Sequence, residues 1–167
     1  MLEITPLRPE DPALFEAAFE AIGWHKPAAQ YQRYLDEQTA DQRPVLVARV
    51  DGEFAGYVTV VWEPVYEAFR EANIPEIQDF NVLPKFRRQG IGSALMDAAE
   101  ALIATRSRIA GIGVGLYPDY GPAQRLYVLR GYVPDGRGIA AETVPVRPGQ
   151  VVRVDDELAL YFTRAVG

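Results

Sequence analysis

Residues 85–93, Lys85-Phe86-Arg87-Arg88-Gln89-Gly90-Ile91-Gly92-Ser93, gather three cations and two glycines in nine positions. Immediately behind them Ile91, Leu95, Ala98 and Leu102 recur at helical spacing, and Ala94, Ala99 and Ile103 widen the apolar stripe. A helix that starts near Gly90 leaves its first N–H groups unpaired and carries partial positive charge at that end. The two glycines let a ligand come close to the backbone. The chemistry this predicts is the capture of a phosphate group. The turn is not a Walker A loop, because no Gly-Lys-Ser/Thr follows. It is not the dinucleotide fingerprint either, since position 95 is Leu where a third glycine would stand.

Two strands must hold this turn. Ile74–Val82 reads as the strand before it, stopped by Pro84, which has no N–H to continue a ladder. Arg108–Leu116 reads as the strand after the helix. A strand–helix–strand crossover predicts that the two are parallel neighbours. Val82-Leu83-Pro84-x-x-Arg87-x-x-Gly90-x-Gly92, with its helix, resembles motif A of the GNAT N-acetyltransferases. The resemblance implies that backbone amides of the turn hold the pyrophosphate of acetyl-CoA. The coenzyme-binding stretch would then be Asn81, Val82, Leu83, Pro84, Arg87, Arg88, Gln89, Gly90, Ile91, Gly92 and Ser93. A second segment, Ala123-Gln124-Arg125-Leu126-Tyr127-Val128-Leu129-Arg130-Gly131-Tyr132, resembles the later family signature A-x-x-L-Y-x-x-x-G-F/Y. It implies that Tyr127 points at the coenzyme sulfur, with Gln124 beside the coenzyme. Many relatives carry an Asn just after the strand that precedes this helix. Here the stretch is Tyr117-Pro118-Asp119, so Tyr117 and Asp119 are the candidates there, and Asp119 either caps the helix or replaces that contact.

Composition narrows the class. The 167 residues suffice for one domain with a core, so 1–167 is expected to be a single acetyltransferase domain. The net charge of −6 disfavours nucleic acid and mildly suits a cationic amine. With no cysteine, there is no disulfide, no thiol nucleophile and no thiolate metal site; the single histidine, His25, leaves little for a metal. There is no apolar run of membrane-spanning length and no signal-peptide core, so a cytoplasmic protein with no membrane partner is expected.

Along the chain, Leu2–Arg8 reads as a strand. Asp11-Pro12 starts a helix, with Asp11 as capping carboxylate, and Gly23 ends it. A second helix is expected over Pro27–Gln38. Val45–Val50, Asp51-Gly52 and Glu53–Trp62 form a hairpin with a type I′ turn. Glu63–Asn73 reads as a loop with a short helix, Ala123–Arg130 as a helix closed by Gly131, and Tyr132–Pro134 as the start of another strand. Gly136–Asp156 is expected to be a loop with a small hairpin of 143–146 and 151–154, before a last strand over Glu157–Arg164. Gly111, Gly113 and Gly115 alternate, leaving one strand face nearly bare for close approach by a ligand or a neighbouring element.

This order resembles the α/β GNAT fold, a mixed sheet of about seven strands with helices on both faces; the resemblance implies that the two crossover strands splay to admit acetyl-CoA. Transfer to a primary amine needs polarisation of the thioester carbonyl, for which a backbone N–H near Val82 is the candidate. It also needs a base, since an alkylammonium has no free lone pair near neutral pH. Glu76 and Asp79 are the candidates, expected on opposite faces of a regular strand. An acid must protonate the thiolate, and Tyr127 is the candidate. With no cysteine and no Ser-His pair, direct attack in a ternary complex is expected rather than an acyl-enzyme. Trp24, Tyr31, Trp62 and Tyr66 are candidates for the acceptor pocket, with packing as the competing reading for each. The acceptor is a small amine, an amino acid derivative, a peptide N-terminus or a lysine, and the protein a monomer or a homodimer. A non-catalytic acyl-CoA-binding protein on the same fold is the alternative.

Overall fold

The computed structural model describes residues 1–167. The chain gathers into two compact units, one of Met1–Val61 and Gln78–Leu102, the other of Trp62–Ile77 and Ile103–Gly167. Its strands belong to one mixed sheet, in the spatial order Leu2–Pro6, Val45–Val50, Glu53–Val61, Glu76–Val82, Ile109–Gly115, Leu158–Ala165, Val133–Ala141 and Val144–Pro145.

The first unit begins with β1 (Leu2–Pro6), α1 (Asp11–Glu20) and α2 (Ala28–Thr39). The hairpin of β2 (Val45–Val50) and β3 (Glu53–Val61) follows. Its turn residues Asp51 and Gly52 both have positive φ, 50° and 83°, as a type I′ turn requires. β1 pairs antiparallel with β2, and β2 with β3. The unit also holds most of β4 (Glu76–Val82) and of α4 (Ile91–Ala104). Phe15 and Phe19 of α1 are fully buried against Phe54, with the Phe15 and Phe54 rings stacked at 3.8 Å. Asp11 is not the cap of α1. The cap position is Glu10, without a side-chain hydrogen bond, and Asp11 is buried against Arg49. Arg49 Nη2 donates to both its oxygens, at 2.6 and 2.7 Å. The carboxylate is shared between Arg49 and the chain just ahead of the helix, where Oδ2 also accepts the Arg8 N–H at 2.7 Å.

The second unit holds α3 (Glu67–Glu71), β5 (Ile109–Gly115), α5 (Gly121–Leu129), β6 (Val133–Ala141), β7 (Val144–Pro145) and β8 (Leu158–Ala165). The start of β4 is parallel to β5 with Glu76 opposite Gly111 and Ile77 opposite Ile112, as the crossover predicts. β5 runs antiparallel to β8, and β8 to β6. The late hairpin differs from the expected one. β6 turns at Glu142-Thr143, both at positive φ, and pairs with β7 through Ala140–Pro145 and Ala141–Val144. No strand forms over 151–154, where Val151 and Val154 stay exposed. The strand expected to start at 132–134 runs on as β6 through Gly136 and Gly138 to Ala141, and its register with β8 shifts between Pro134 and Ile139. The two-residue β7 brings the sheet to eight strands, where about seven are expected. The bare face of β5 receives aromatic rings. A Cβ on Gly111 would stand 2.4 Å from Phe69, on Gly113 2.8 Å from Tyr161, and on Gly115 2.3 Å from Tyr120. No helix is long and apolar enough to cross a membrane.

Candidate functional site

In the first unit, β4 ends at Val82, a short 3-10 turn covers Pro84–Phe86, and Arg88 and Gly90 take φ values of 58° and 80° to aim the chain into α4. The N–H groups of Ile91, Gly92 and Ser93 have no partner within the protein, and the first bond of the helix runs from Ala94 N–H to Gly90 O at 2.9 Å. Gly90 is needed for its positive φ. At Gly92 a Cβ would stand 3.2 Å from the Phe80 ring, which would have to shift by a few tenths of an ångström. The three cations separate. Lys85 is ion-paired with Glu53 and lies over the Phe86 ring. Arg87 Nε donates to Val82 O at 3.2 Å, and its guanidinium lies 5.7 Å from the Trp24 ring centroid. Arg88 is exposed and makes neither a hydrogen bond nor an ion pair. Gln89 Nε2 donates to Lys85 O at 2.9 Å. Free amides, one uncommitted cation and no carboxylate between 82 and 93 suit this turn to a phosphate anion.

Further back on β4, Asp79 has φ of 47°, so the strand is not regular there. The left-handed residue interrupts the alternation on which the opposite-face expectation for Glu76 and Asp79 rested. Five donors converge on the Asp79 carboxylate. Oδ2 accepts from Tyr57 OH at 2.5 Å, Tyr34 OH at 3.0 Å and Gln30 Nε2 at 3.0 Å. Oδ1 accepts from Asn81 Nδ2 at 2.8 Å and Lys26 Nζ at 3.1 Å. Burial, with the Asp79 charge added, pushes the Tyr34 hydroxyl up to about 12 and that of Tyr57 well above the ordinary range. Tyr31 is fully buried and donates to Tyr57 OH at 3.3 Å, so it is packed rather than open to an acceptor. Trp24 is half-buried and stacks on Phe19 at 5.9 Å.

Sequence reasoning missed Lys26, Gln30, Tyr34 and Tyr57 as partners of Asp79. Gln30 and Tyr34 lie four apart on α2, a spacing that puts them on one face, but nothing in the chain before folding ties that face to Asp79. Gly56 was also missed. A Cβ there would stand 2.3 Å from Asn81 O, so only glycine lets β3 approach β4 at this point.

In the second unit, Glu76 is buried; burial and then the Glu76 charge raise the Tyr161 phenol, and burial and then Asp135 raise that of Tyr66. Tyr66 OH donates to Asp135 Oδ2 at 2.8 Å, and its ring stacks on Tyr161 at 3.7 Å. Tyr66 therefore belongs to an aromatic core with Phe69. Trp62 lies under the Arg106 guanidinium at 4.2 Å, with its Nε1 buried and unpartnered. Tyr117 and Tyr120 both donate to Asp156 Oδ1, which raises the Tyr117 phenol. Gln124 Nε2 donates to Gly115 O at 2.9 Å. Asp119 is exposed and does not cap α5, whose cap residue is Tyr120. Tyr127 is buried on α5, its ring 6.1 Å from that of Tyr132, and its hydroxyl makes no hydrogen bond. Burial alone raises its phenol, which, like any tyrosine, carries its proton at neutral pH.

The profile of the Acetyltransferase (GNAT) family matches residues 12–132. An uncharacterized N-acetyltransferase of Archaeoglobus fulgidus is 37% identical over 78 residues, 45% of this chain and 51% of that protein. The aminoglycoside N(6')-acetyltransferase type 1 of Klebsiella aerogenes is 33% identical over 73 residues, 43% of this chain and 48% of that protein. The matched segments thus span about half the length of these curated relatives. Among solved structures, an N-acetyltransferase from Staphylococcus aureus superposes with a TM-score of 0.71 at 16% identity, covering 99% of this chain and 98% of that one. The ribosomal-protein-alanine N-acetyltransferase from Brucella melitensis superposes at 0.70 and 19%, covering 98% and 99%. These structures share the fold. The family profile covers well over half of the chain, and the chain belongs to the GNAT acetyltransferase family.

Proposed function

We propose that this protein, acting as one catalytic domain, transfers an acetyl group from acetyl-CoA to a primary amine by direct attack. The observation that carries the reading is the turn before α4, where the Ile91, Gly92 and Ser93 amides are unpartnered beside an uncommitted Arg88. These groups would hold the pyrophosphate. Bound acetyl-CoA supplies the acyl carbonyl and a thiol leaving group. The Val82 N–H stabilises negative charge on the acyl oxygen. The amine nitrogen forms the new bond to carbon as the C–S bond breaks, and Tyr127 OH gives its proton to the sulfur.

For the base we take Glu76 rather than Asp79, because the donors around Asp79 already fill its carboxylate. A carboxylate offers about four lone-pair sites, and the five donors on Asp79 leave none for an incoming ammonium. Glu76 takes the proton that the ammonium must lose, directly or through an ordered water, and the proton that nitrogen sheds as the amide forms restores Tyr127. The acceptor class is a primary amine. An aminoglycoside N(6') amine and a ribosomal-protein alanine, the acceptors in the names of two similar proteins, both belong to it. The acidic chain draws such cations toward it.

Calorimetric titration tests the reading, with acetyl-CoA as ligand and ATP and NAD as controls. The expected result is saturable binding of acetyl-CoA alone. A folded protein that binds none of the three, or that prefers ATP, would sink it.

A further inference from the structure

We infer that Arg87 is a positioning residue rather than a phosphate ligand: Trp24 and Arg87 together lock the end of β4, and Arg88 alone brings side-chain charge to the coenzyme. The inference rests on the acetyltransferase reading above and divides its basic run into two jobs. Arg87 is committed twice. Its Nε donates to Val82 O at 3.2 Å, and its guanidinium faces the Trp24 ring. Trp24 in turn rests on Phe19, a fully buried residue of α1. A planar guanidinium stacks on an aromatic face and donates in its own plane at once, which a lysine ammonium cannot reproduce. Arg88, one residue on, has neither kind of contact.

What Arg87 holds matters for the chemistry. The C=O and N–H of a trans peptide point in opposite directions. Asn81 O lies against Gly56 of β3, so the Val82 N–H points away from β3. Leu83 N–H donates to Ala55 O of β3 at 2.9 Å, so Val82 O also points away from β3, where Arg87 meets it. The peptide between Val82 and Leu83 is thus gripped on both sides, by Ala55 and by Arg87. That grip fixes the backbone of the residue whose N–H is the candidate oxyanion donor. An oxyanion donor works by standing at the right place before charge develops, and small displacements are costly. The segment between α1 and α2 therefore serves the coenzyme turn through Trp24. Its predicted place in an acceptor wall is not needed to explain it.

Four variants of the full chain test this: Arg87→Lys, Arg88→Gln, Trp24→Leu and Trp24→Phe. Coenzyme A is titrated into each at low and high salt, hydrogen exchange is followed at the Leu83 amide, and thiol release from acetyl-CoA is timed with water and with benzylamine as acceptors. Arg88→Gln is expected to weaken coenzyme A about tenfold and to flatten the salt dependence, with Leu83 exchange unchanged. Arg87→Lys is expected to keep coenzyme A affinity within about twofold, to speed Leu83 exchange about tenfold, and to lower kcat about tenfold at unchanged KM for acetyl-CoA. Trp24→Leu should follow Arg87→Lys, and Trp24→Phe should recover most of the loss. The inference is overturned if Arg87→Lys loses coenzyme A affinity as Arg88→Gln does, or if Leu83 exchange does not respond to it. A wild-type protein that binds no coenzyme A would instead overturn the transferase reading itself.

Discussion

Both units set tyrosines against carboxylates, but they do so differently. In the first unit one carboxylate, Asp79, collects Tyr34, Tyr57, Gln30, Asn81 and Lys26 from the loop before α2, from α2 itself, from β3 and from β4. In the second unit the tyrosines are spread over separate partners, Tyr66 on Asp135 and Tyr117 and Tyr120 on Asp156, and Tyr127 has none. A buried hydroxyl that finds a partner is architecture, because leaving it unpaired costs free energy. The hydroxyls of Tyr127 and Tyr161 make no such bond within the protein. The contrast separates Asp79, whose carboxylate is filled by donors, from Tyr127, whose hydroxyl has no protein partner and which we propose as the acid.

The largest expected effect falls on the saturated carboxylate. Asp79→Ala leaves the Lys26 ammonium and four neutral donors without their acceptor, at sites where the Lys26 and Asp79 side chains are 21% and 19% exposed. Removing one partner of a largely buried ion pair costs about 3 kcal/mol or more, and urea unfolding reads it directly. If stability holds while turnover falls, Asp79 is a base after all and the contrast between the units fails.

Second in size is a matched pair of hydroxyl deletions. Tyr127→Phe removes an oxygen with no partner, so stability should stay within about 1 kcal/mol while turnover of acetyl-CoA falls about 100-fold. Tyr57→Phe removes a 2.5 Å donor from Asp79 and should lose about 2 kcal/mol of stability. Equal stability losses in the two variants would show that Tyr127 is held like the others.

How far the chain announced this depends on the range of the interaction. The strand, turn and helix over 76–104, the type I′ hairpin and the Tyr127 helix were legible, because each is written in neighbouring residues as periodicity, glycine placement or a stop at proline. The free amides of Ile91–Ser93 follow from the helix start alone. What was not legible joins residues far apart. Asp11 reads as a cap until Arg49, thirty-eight positions later, claims it. Asp79 reads as a free strand carboxylate because its donors lie up to fifty-three positions away. The alternating glycines of β5 predict close approach, and the fold fills that space with Phe69, Tyr161 and Tyr120. The left-handed backbone at Asp79 has no local signal at all.

The smallest effect concerns alkaline pH and sharpens the same contrast. Burial, together with Asp79, raises the Tyr34 phenol from 10.0 to about 12 in the folded protein. Below about pH 10 both folded and unfolded chains keep this proton, and the contribution of Tyr34 is fully present. As pH rises from about 10 to about 12, the unfolded chain releases the proton first and the contribution is lost. Urea midpoints measured between about pH 9 and about pH 11.5 should therefore fall, and Tyr34→Phe should make that fall shallower, because one titrating member of the Asp79 network has gone. Tyr57 and Tyr31, whose phenols are also raised by burial, keep part of the slope. An unchanged slope in Tyr34→Phe would mean that Tyr34 ionises no later in the folded chain than in the unfolded one, and that its bond to Asp79 does not hold in solution.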